Sequence, residues 1–188
     1  KTLWKEMIID DQEWHLIKQA TEEVINPFKE AIKKGKNIGI ISEAGCPGVA
    51  DPGQLLVREA QKLNVVVKPM VGPNSILLAL MASGLNGQHF QFVGYIPIDI
   101  AERTKTLKNL EAESKQKGCT QIFIETPYRN NQLMDTVIKT CHPSTLFCIA
   151  ANLTGPKEMV KTATVKDWKG HVPDLHKQPA IFLLMANN

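Results

Sequence analysis

The stretch "SEAGCPGVADPG", residues 42–53, follows the apolar run "NIGII" and runs into the helical pattern "QLLVREAQKL". Glycine loses more chain entropy than any other residue when it is fixed, so a loop this rich in glycine and proline is costly to order. Two readings stand beside each other: a ligand cradle at a strand-to-helix junction, or a tight structural turn. The loop carries two carboxylates, Glu43 and Asp51, and Asp51 is kept out of helical conformation by the following Pro52. The GxxxxGK[ST] phosphate loop and the GxGxxG fingerprint are both missing. A buried strand, a glycine-rich bend and a helix in this order constrain the chain to an α/β architecture.

The rest of the chain continues the alternation. "ATEEVINPFKEAIKKGK" reads as a helix with Asn26 as cap and Pro27 in its first turn, its inner face made by Phe28, Ala31 and Ile32. "NIGIIS" and "NVVVKP" read as short strands buried on both faces of a parallel sheet. "NSILLALMAS" is apolar all round and is expected to be a buried helix closed by Gly84. At "GLNGQH" the character changes, which sets the expected boundary between an N-terminal α/β domain, 1–86, and a mixed α/β domain, 87–188. Strands "FQFVGY", "TQIFIE", "TLFCIA", "EMVKTATV" and "AIFLLM" and helices over 102–118 and "NQLMDTVIKTC" make up the second.

Bulk properties exclude several classes. With 43% hydrophobic and 22% charged residues the composition is that of a globular protein. No apolar run approaches the roughly 18 residues of a membrane helix, and no signal-peptide core is read at the N-terminus. The cysteines Cys46, Cys119, Cys141 and Cys148 fit no metal spacing and no disulfide scaffold, which points to reduced thiols and the cytoplasm. The net charge of +3 permits a polyanionic partner without requiring one.

Four segments lie where strands give way to helices, the place at which open α/β sheets bind ligands. The first is the opening loop. "PMVGPNS" is the second, where Asn74 serves as helix cap or as ligand contact. In the third, "IETPYRN", Arg129 either clamps an anion or pairs with Glu125. "AANLTGP" is the fourth. The basic run Arg103, Lys105, Lys108, Lys115 and Lys117 either tracks phosphates or is a solvated helix face. Two tyrosines and three tryptophans are sparse material for stacking bases.

In their order these segments resemble the tetrapyrrole methylases, the class III S-adenosylmethionine-dependent methyltransferases. The branch with the small-subunit rRNA (cytidine-2'-O)-methyltransferase is the most similar. That branch has a first loop close to SDAGTPxxSDPG, matched here by Ser42 to Gly53. Its GPSA-like stretch matches Gly72-Pro73-Asn74-Ser75, and its ExxxR segment matches Glu125 to Arg129. The resemblance implies two α/β domains with a cofactor cleft between them, and a homodimer. It also implies that S-adenosylmethionine touches Gly45, Cys46, Val49, Ala50, Asn74, Ser75, Thr126, Pro127 and Leu153. No metal is implied, and no membrane.

The family opens with a strand ending in a PTPxGN-type turn. Here "KTLWKEMIIDD" stands in that place, so the N-terminal domain reads as incomplete relative to the family. The ELTK-like fourth segment is Asn152-Leu153-Thr154-Gly155, without the acid or the lysine, and Cys46 replaces a common threonine. The expected activity is 2'-O-methylation of a ribose in ribosomal RNA. A tetrapyrrole C-methyltransferase or a catalytically inactive cofactor-binding module are the alternatives. Candidates for the catalytic role are Glu43, Asp51, Glu125 and Arg129, with the base assigned to none of them.

Overall fold

The computed structural model describes residues 12–17, 22–42 and 45–187. Glu43, one of the candidate acids, lies outside them. The chain divides into two compact units, Lys1–Gly72 and Pro73–Asn188.

In the first unit, α1 (Glu22–Lys33) and α2 (Gln54–Lys62) pack on each other. Helix α1 starts a turn earlier than its capping signal suggests, so Pro27 sits inside the helix rather than in its first turn. The proline has no N–H to give the carbonyl one turn back, a cost met near the helix start where few bonds are forfeited. Phe28, Ala31 and Ile32 are half-buried, as an inner face requires. Leu56 and Ala60 of α2 are buried, while Leu63 is exposed. Gly53 precedes α2 at φ 130°, a conformation open in practice to glycine alone, and a Cβ there would lie 3.4 Å from Ile40 Cγ2.

The two strands expected at 37–42 and 64–69 are not formed among the described residues. Both stretches run without a ladder partner, and Ile41 is 69% and Val66 77% exposed. An apolar run has strand character in its side chains, but a strand exists only through pairing.

The second unit holds a five-stranded sheet in the order β1-β2-β5-β3-β4. Its strands are β1 (Phe90–Tyr95), β2 (Thr120–Ile124), β3 (Leu146–Ala151), β4 (Met159–Thr164) and β5 (Ala180–Met185). The pair β1–β2 is parallel; β5 is antiparallel to both β2 and β3, and β4 is antiparallel to β3. The mixed sheet read from the sequence is therefore present. Its central strands are apolar on both faces because both faces are covered. Phe123, Phe147 and Phe182 stack across the three strands β2, β5 and β3, at centroid distances of 5.9–6.4 Å. They share one core with Leu107 and Leu110 of α4 (Ile100–Lys117) and Leu133, Met134 and Val137 of α5 (Asn130–Thr140). The alternate residues Ile122, Cys148, Ile181 and Leu183 face Ala79 and Leu80 of α3 (Ser75–Ser83). Thus the helix that precedes the sequence-read boundary packs on the sheet of this second unit.

Two expectations on helices are corrected. Helix α3 is not buried all round: Leu77 and Met81 are exposed, the latter at 80%. Arg103 does not lie on a solvated basic face, being 1% exposed. Its Nε donates to the carbonyl of Pro97 and its Nη2 to that of Ile98, so it ties α4 to the turn that precedes it. A short helix α6 (Val165–Trp168) buries Trp168, whose indole N–H donates to Phe147 O at 2.8 Å. None of the four cysteines is in a disulfide. Burial raises the pKa of three of them, and that of Cys141, beside Glu111, is pushed up to about 12.

Candidate functional site

Strands β1, β2 and β3 end at one edge of the second unit's sheet. Tyr95 closes β1 opposite Ile124 of β2, and Ala151 closes β3 opposite Ala180 of β5. Immediately past these ends come Glu125 to Arg129 and Asn152 to Gly155. The third and fourth segments singled out in the sequence therefore lie on a common rim. The second joins them through α3: Ile76 of its first turn packs in the same apolar cluster as Ile124 and Leu153. Asn74 caps α3, accepting from the N–H groups of Ile76 at 3.0 Å and Leu77 at 3.2 Å. The capping role is thus established. Ser75, the first residue of the helix, is exposed beside the cap.

Glu125 is the buried acid of this rim, its side chain fully shielded. One carboxylate oxygen accepts from Thr126 N–H and from Arg129 Nη2, both at 2.7 Å. The pairing of Glu125 with Arg129 is therefore formed, and it raises the pKa of the guanidinium. The pair is unevenly satisfied, however. Glu125 Oε2, Thr126 Oγ1 and Arg129 Nε are buried and have no protein partner. Three such atoms in one turn are unusual, because buried polar groups are nearly always bonded. They offer one acceptor, one donor and one hydroxyl, the mixture that hydroxyl, amide and carboxylate groups of a ligand can satisfy.

The fourth segment is held in strained backbone. Asn152 has φ 52° and Thr154 φ 65°, the latter a β-branched residue in a region such residues avoid. Asn152 is pinned by its N–H to Pro179 O at 2.9 Å and by its amide to Gln178 Oε1 at 2.6 Å. Gly155 is required by close approach, since a Cβ would come 3.0 Å from Asn152 O. Strain of this kind persists only where surroundings over-determine it, and it concentrates at functional sites. Glu158, just beyond, accepts from Thr154 N–H, which gives the segment an acid its first four residues lack.

The first loop is described within its own unit. Val49 N–H donates to Cys46 O at 3.1 Å, making a turn that exposes Val49 and sets Ala50 at φ 54°. Gly45 is at φ 79° with nothing within 4 Å of an added Cβ. Asp51 is half-buried. Among the described residues, no group of His, Cys, Asp and Glu could hold a metal ion, and no helix is long and apolar enough to cross a membrane.

Sequence reasoning missed the residues that rivet this rim. Asn130 is buried and donates to the carbonyls of Leu175 and Gln178, and Asn131 exchanges bonds with Asp174 and Leu175. The repeated Asn after the "TPYR" turn was the only local signal for them.

No protein-family model matches the chain. It is 33% identical over 141 residues, 75% of its length, to "Ribosomal RNA small subunit methyltransferase I" of Mesorhizobium japonicum, covering 47% of that protein. To the protein of the same name from Buchnera aphidicola it is 30% identical over 171 residues, covering 89% of this chain and 57% of that one. The chain spans about half the length of these curated relatives. Its fold is similar to the crystal structure of the methyltransferase CobJ, with a TM-score of 0.56 at 17% identity over 84% of this chain and 67% of that one. By sequence the chain is thus similar to the ribosomal RNA small subunit methyltransferase I proteins over about half of their length, and its fold is similar to that of the methyltransferase CobJ.

Proposed function

We propose that this protein transfers a methyl group from S-adenosylmethionine to a ribose 2'-hydroxyl in small-subunit ribosomal RNA, as a cytoplasmic homodimer. What supports the reading is that Glu125 to Arg129 and Asn152 to Gly155 follow the ends of β2 and β3, and that Glu125 Oε2, Thr126 Oγ1 and Arg129 Nε are buried there without protein partners. The relatives' names supply the substrate class.

The residues fit the cofactor chemically. Main chain around Leu153, the start of α3 at Asn74 and Ser75, and the buried hydroxyl of Thr126 beside Pro127 are the polar groups assigned to it. Gly45, Cys46, Val49 and Ala50 of the first loop are assigned the same role. When bound, the cofactor would supply a sulfonium-activated methyl carbon open to in-line attack by an acceptor hydroxyl, the C–S bond breaking to release a neutral thioether and the hydroxyl giving up its proton. Catalysis is then chiefly positioning, which supplies roughly 7–11 kcal/mol in favourable cases. Glu125 is the best placed of the candidate carboxylates to hold an acceptor hydroxyl, through its unbonded oxygen; its other oxygen is committed to Arg129. Arg129 then orients Glu125, and Asp51 and Glu43 are left without an assigned step.

The tetrapyrrole reading is weaker on the arginines. A macrocycle bearing many carboxylates wants several at its site, yet of Arg58, Arg103 and Arg129 the second is buried under its own helix and the third paired. The deciding experiment offers labelled S-adenosylmethionine and the protein two acceptors: small ribosomal subunits from a strain lacking the gene, and a porphyrinogen. Label in the subunit RNA, resistant to alkaline cleavage at one position, is expected. Label in the porphyrinogen alone, or in neither, overturns the reading.

A further inference from the structure

The chain has only two tyrosines, and both stand exposed on the rim just described: Tyr95 at 61% and Tyr128 at 67%. Tyr95 is close enough to Arg129 to act on it electrostatically. Tyr128 is furnished further. His176 meets its ring edge-on, with centroids 6.0 Å apart and planes at 73°, and Lys177 Nζ lies over the ring at 6.0 Å.

This grouping is built, not incidental. Tyr128 sits on the turn after β2, while His176 and Lys177 belong to the loop before β5. The two are fastened by Lys177 N–H to Pro127 O at 3.0 Å, by Asn130 to the carbonyls flanking the loop, and by Asn131 to Asp174 at 2.7 Å. Lys177 itself takes φ 60°, a conformation that costs a lysine free energy and that the fastening holds in place. The nearby carboxylates are engaged: Asp174 accepts from Asn131 and from His176 N–H, and Glu125 holds Arg129. What faces solvent is an aromatic ring, an imidazole, the Lys177 ammonium and the Asp174 carboxylate with one oxygen engaged.

We propose that Tyr128, with His176 and Lys177, is a stacking platform for an unpaired nucleotide of an RNA strand. The inference rests on the reading of RNA as substrate and adds the surface that receives it. An aromatic face beside a cation suits a base attached to a phosphate, and stacking on it is indifferent to base identity. A duplex does not fit, because its bases are already stacked and paired. A protein partner fits less well, since the surroundings of Tyr128 are polar and charged, whereas interface anchors sit in apolar pockets.

The test is the affinity of the full chain for a fluorescein-labelled, unstructured oligouridylate, read by anisotropy at several salt concentrations. Tyr128→Ala is expected to weaken binding roughly 5- to 150-fold, the range for losing one stacked base. Tyr128→Phe keeps the ring and is expected to stay within about twofold of the parent. Lys177→Ala is expected to flatten the logarithmic salt dependence by about 0.7, one phosphate contact. An unchanged affinity in Tyr128→Ala, no oligouridylate binding by the parent, or an equal loss in Tyr128→Phe overturns the platform. The substrate reading is judged apart. Methyl transfer to subunits with an unaffected Tyr128→Ala sinks the platform alone, while Tyr128-dependent binding without methyl transfer sinks the reaction alone.

Discussion

Glu125 and Arg129 show how much a single contact decides. Burying a carboxylate is tolerated only when its charge is compensated, and removing one partner of such a pair harms more than removing both. Arg129→Ala is therefore expected to lower the thermal unfolding midpoint, and adding Glu125→Gln in the same chain is expected to recover part of the loss. Circular dichroism melts of the two single variants and the double variant make the comparison. Strictly additive losses would show that the pair contributes nothing as a pair. Asn74 teaches the complementary lesson. Its sequence context allowed both a cap and a ligand contact; the bonds to Ile76 and Leu77 settle the cap. Arg103 was misjudged because periodicity ranks a lone arginine with its lysine neighbours. Only the carbonyls of Pro97 and Ile98, placed by a turn outside the helix, reveal it as an interior clamp.

At the scale of elements, what was legible depended on whether the deciding partner was near in sequence. Helix α4, expected over 102–118, forms over Ile100–Lys117 with Gly118 at its end in left-handed conformation, and it buries Arg103, Leu107, Leu110 and Ser114. The strands of the second unit were equally plain from their apolar runs. By contrast, 37–42 and 64–69 carry the same side-chain signal yet form no ladder, because pairing depends on residues far away in the chain. In the first unit the clearest tertiary contact is ionic. Glu59 of α2 is 12% exposed in its side chain and is gripped by Lys62 at 2.7 Å and by Lys29 of α1 at 2.9 Å. Hydrogen bonds from Lys62 and then Lys29 hold its carboxyl at about 2, against an ordinary 4.5. A depressed carboxylate stabilises the fold above its unfolded pKa and ceases to do so as pH falls through its folded one. Hence this contribution is intact above about pH 4.5 and fades towards pH 2. Glu59→Gln should remove that part of the acid dependence, so amide exchange of α2 compared at pH 6 and pH 3 should change less in the variant. An identical acid response in both chains would deny the clamp its role.

On the scale of the whole molecule, the two units differ in what holds them together. All ladder pairing among the described residues lies beyond Gly72, where five strands are covered by α3 on one face and by α4 and α5 on the other. The described residues up to Gly72 offer α1 packed on α2 and extended stretches with Ile41 and Val66 exposed, less than a self-sufficient sheet needs. Stability should therefore reside in the second unit. Residues 73–188 expressed alone are expected to melt in one cooperative transition, with their slowest-exchanging amides at Ile122, Ile149 and Phe182 in the central strands. Residues 1–72 alone are expected to melt without cooperativity. Because Tyr128, His176 and Lys177 all lie in the second unit, that piece should also keep its ring-dependent affinity for oligouridylate. Methyl transfer should vanish with the first loop, since Gly45 to Ala50 are gone. If 73–188 fails to fold, its sheet depends on support from earlier in the chain. The placing of the Tyr128 platform in a self-standing unit would then have no structural basis.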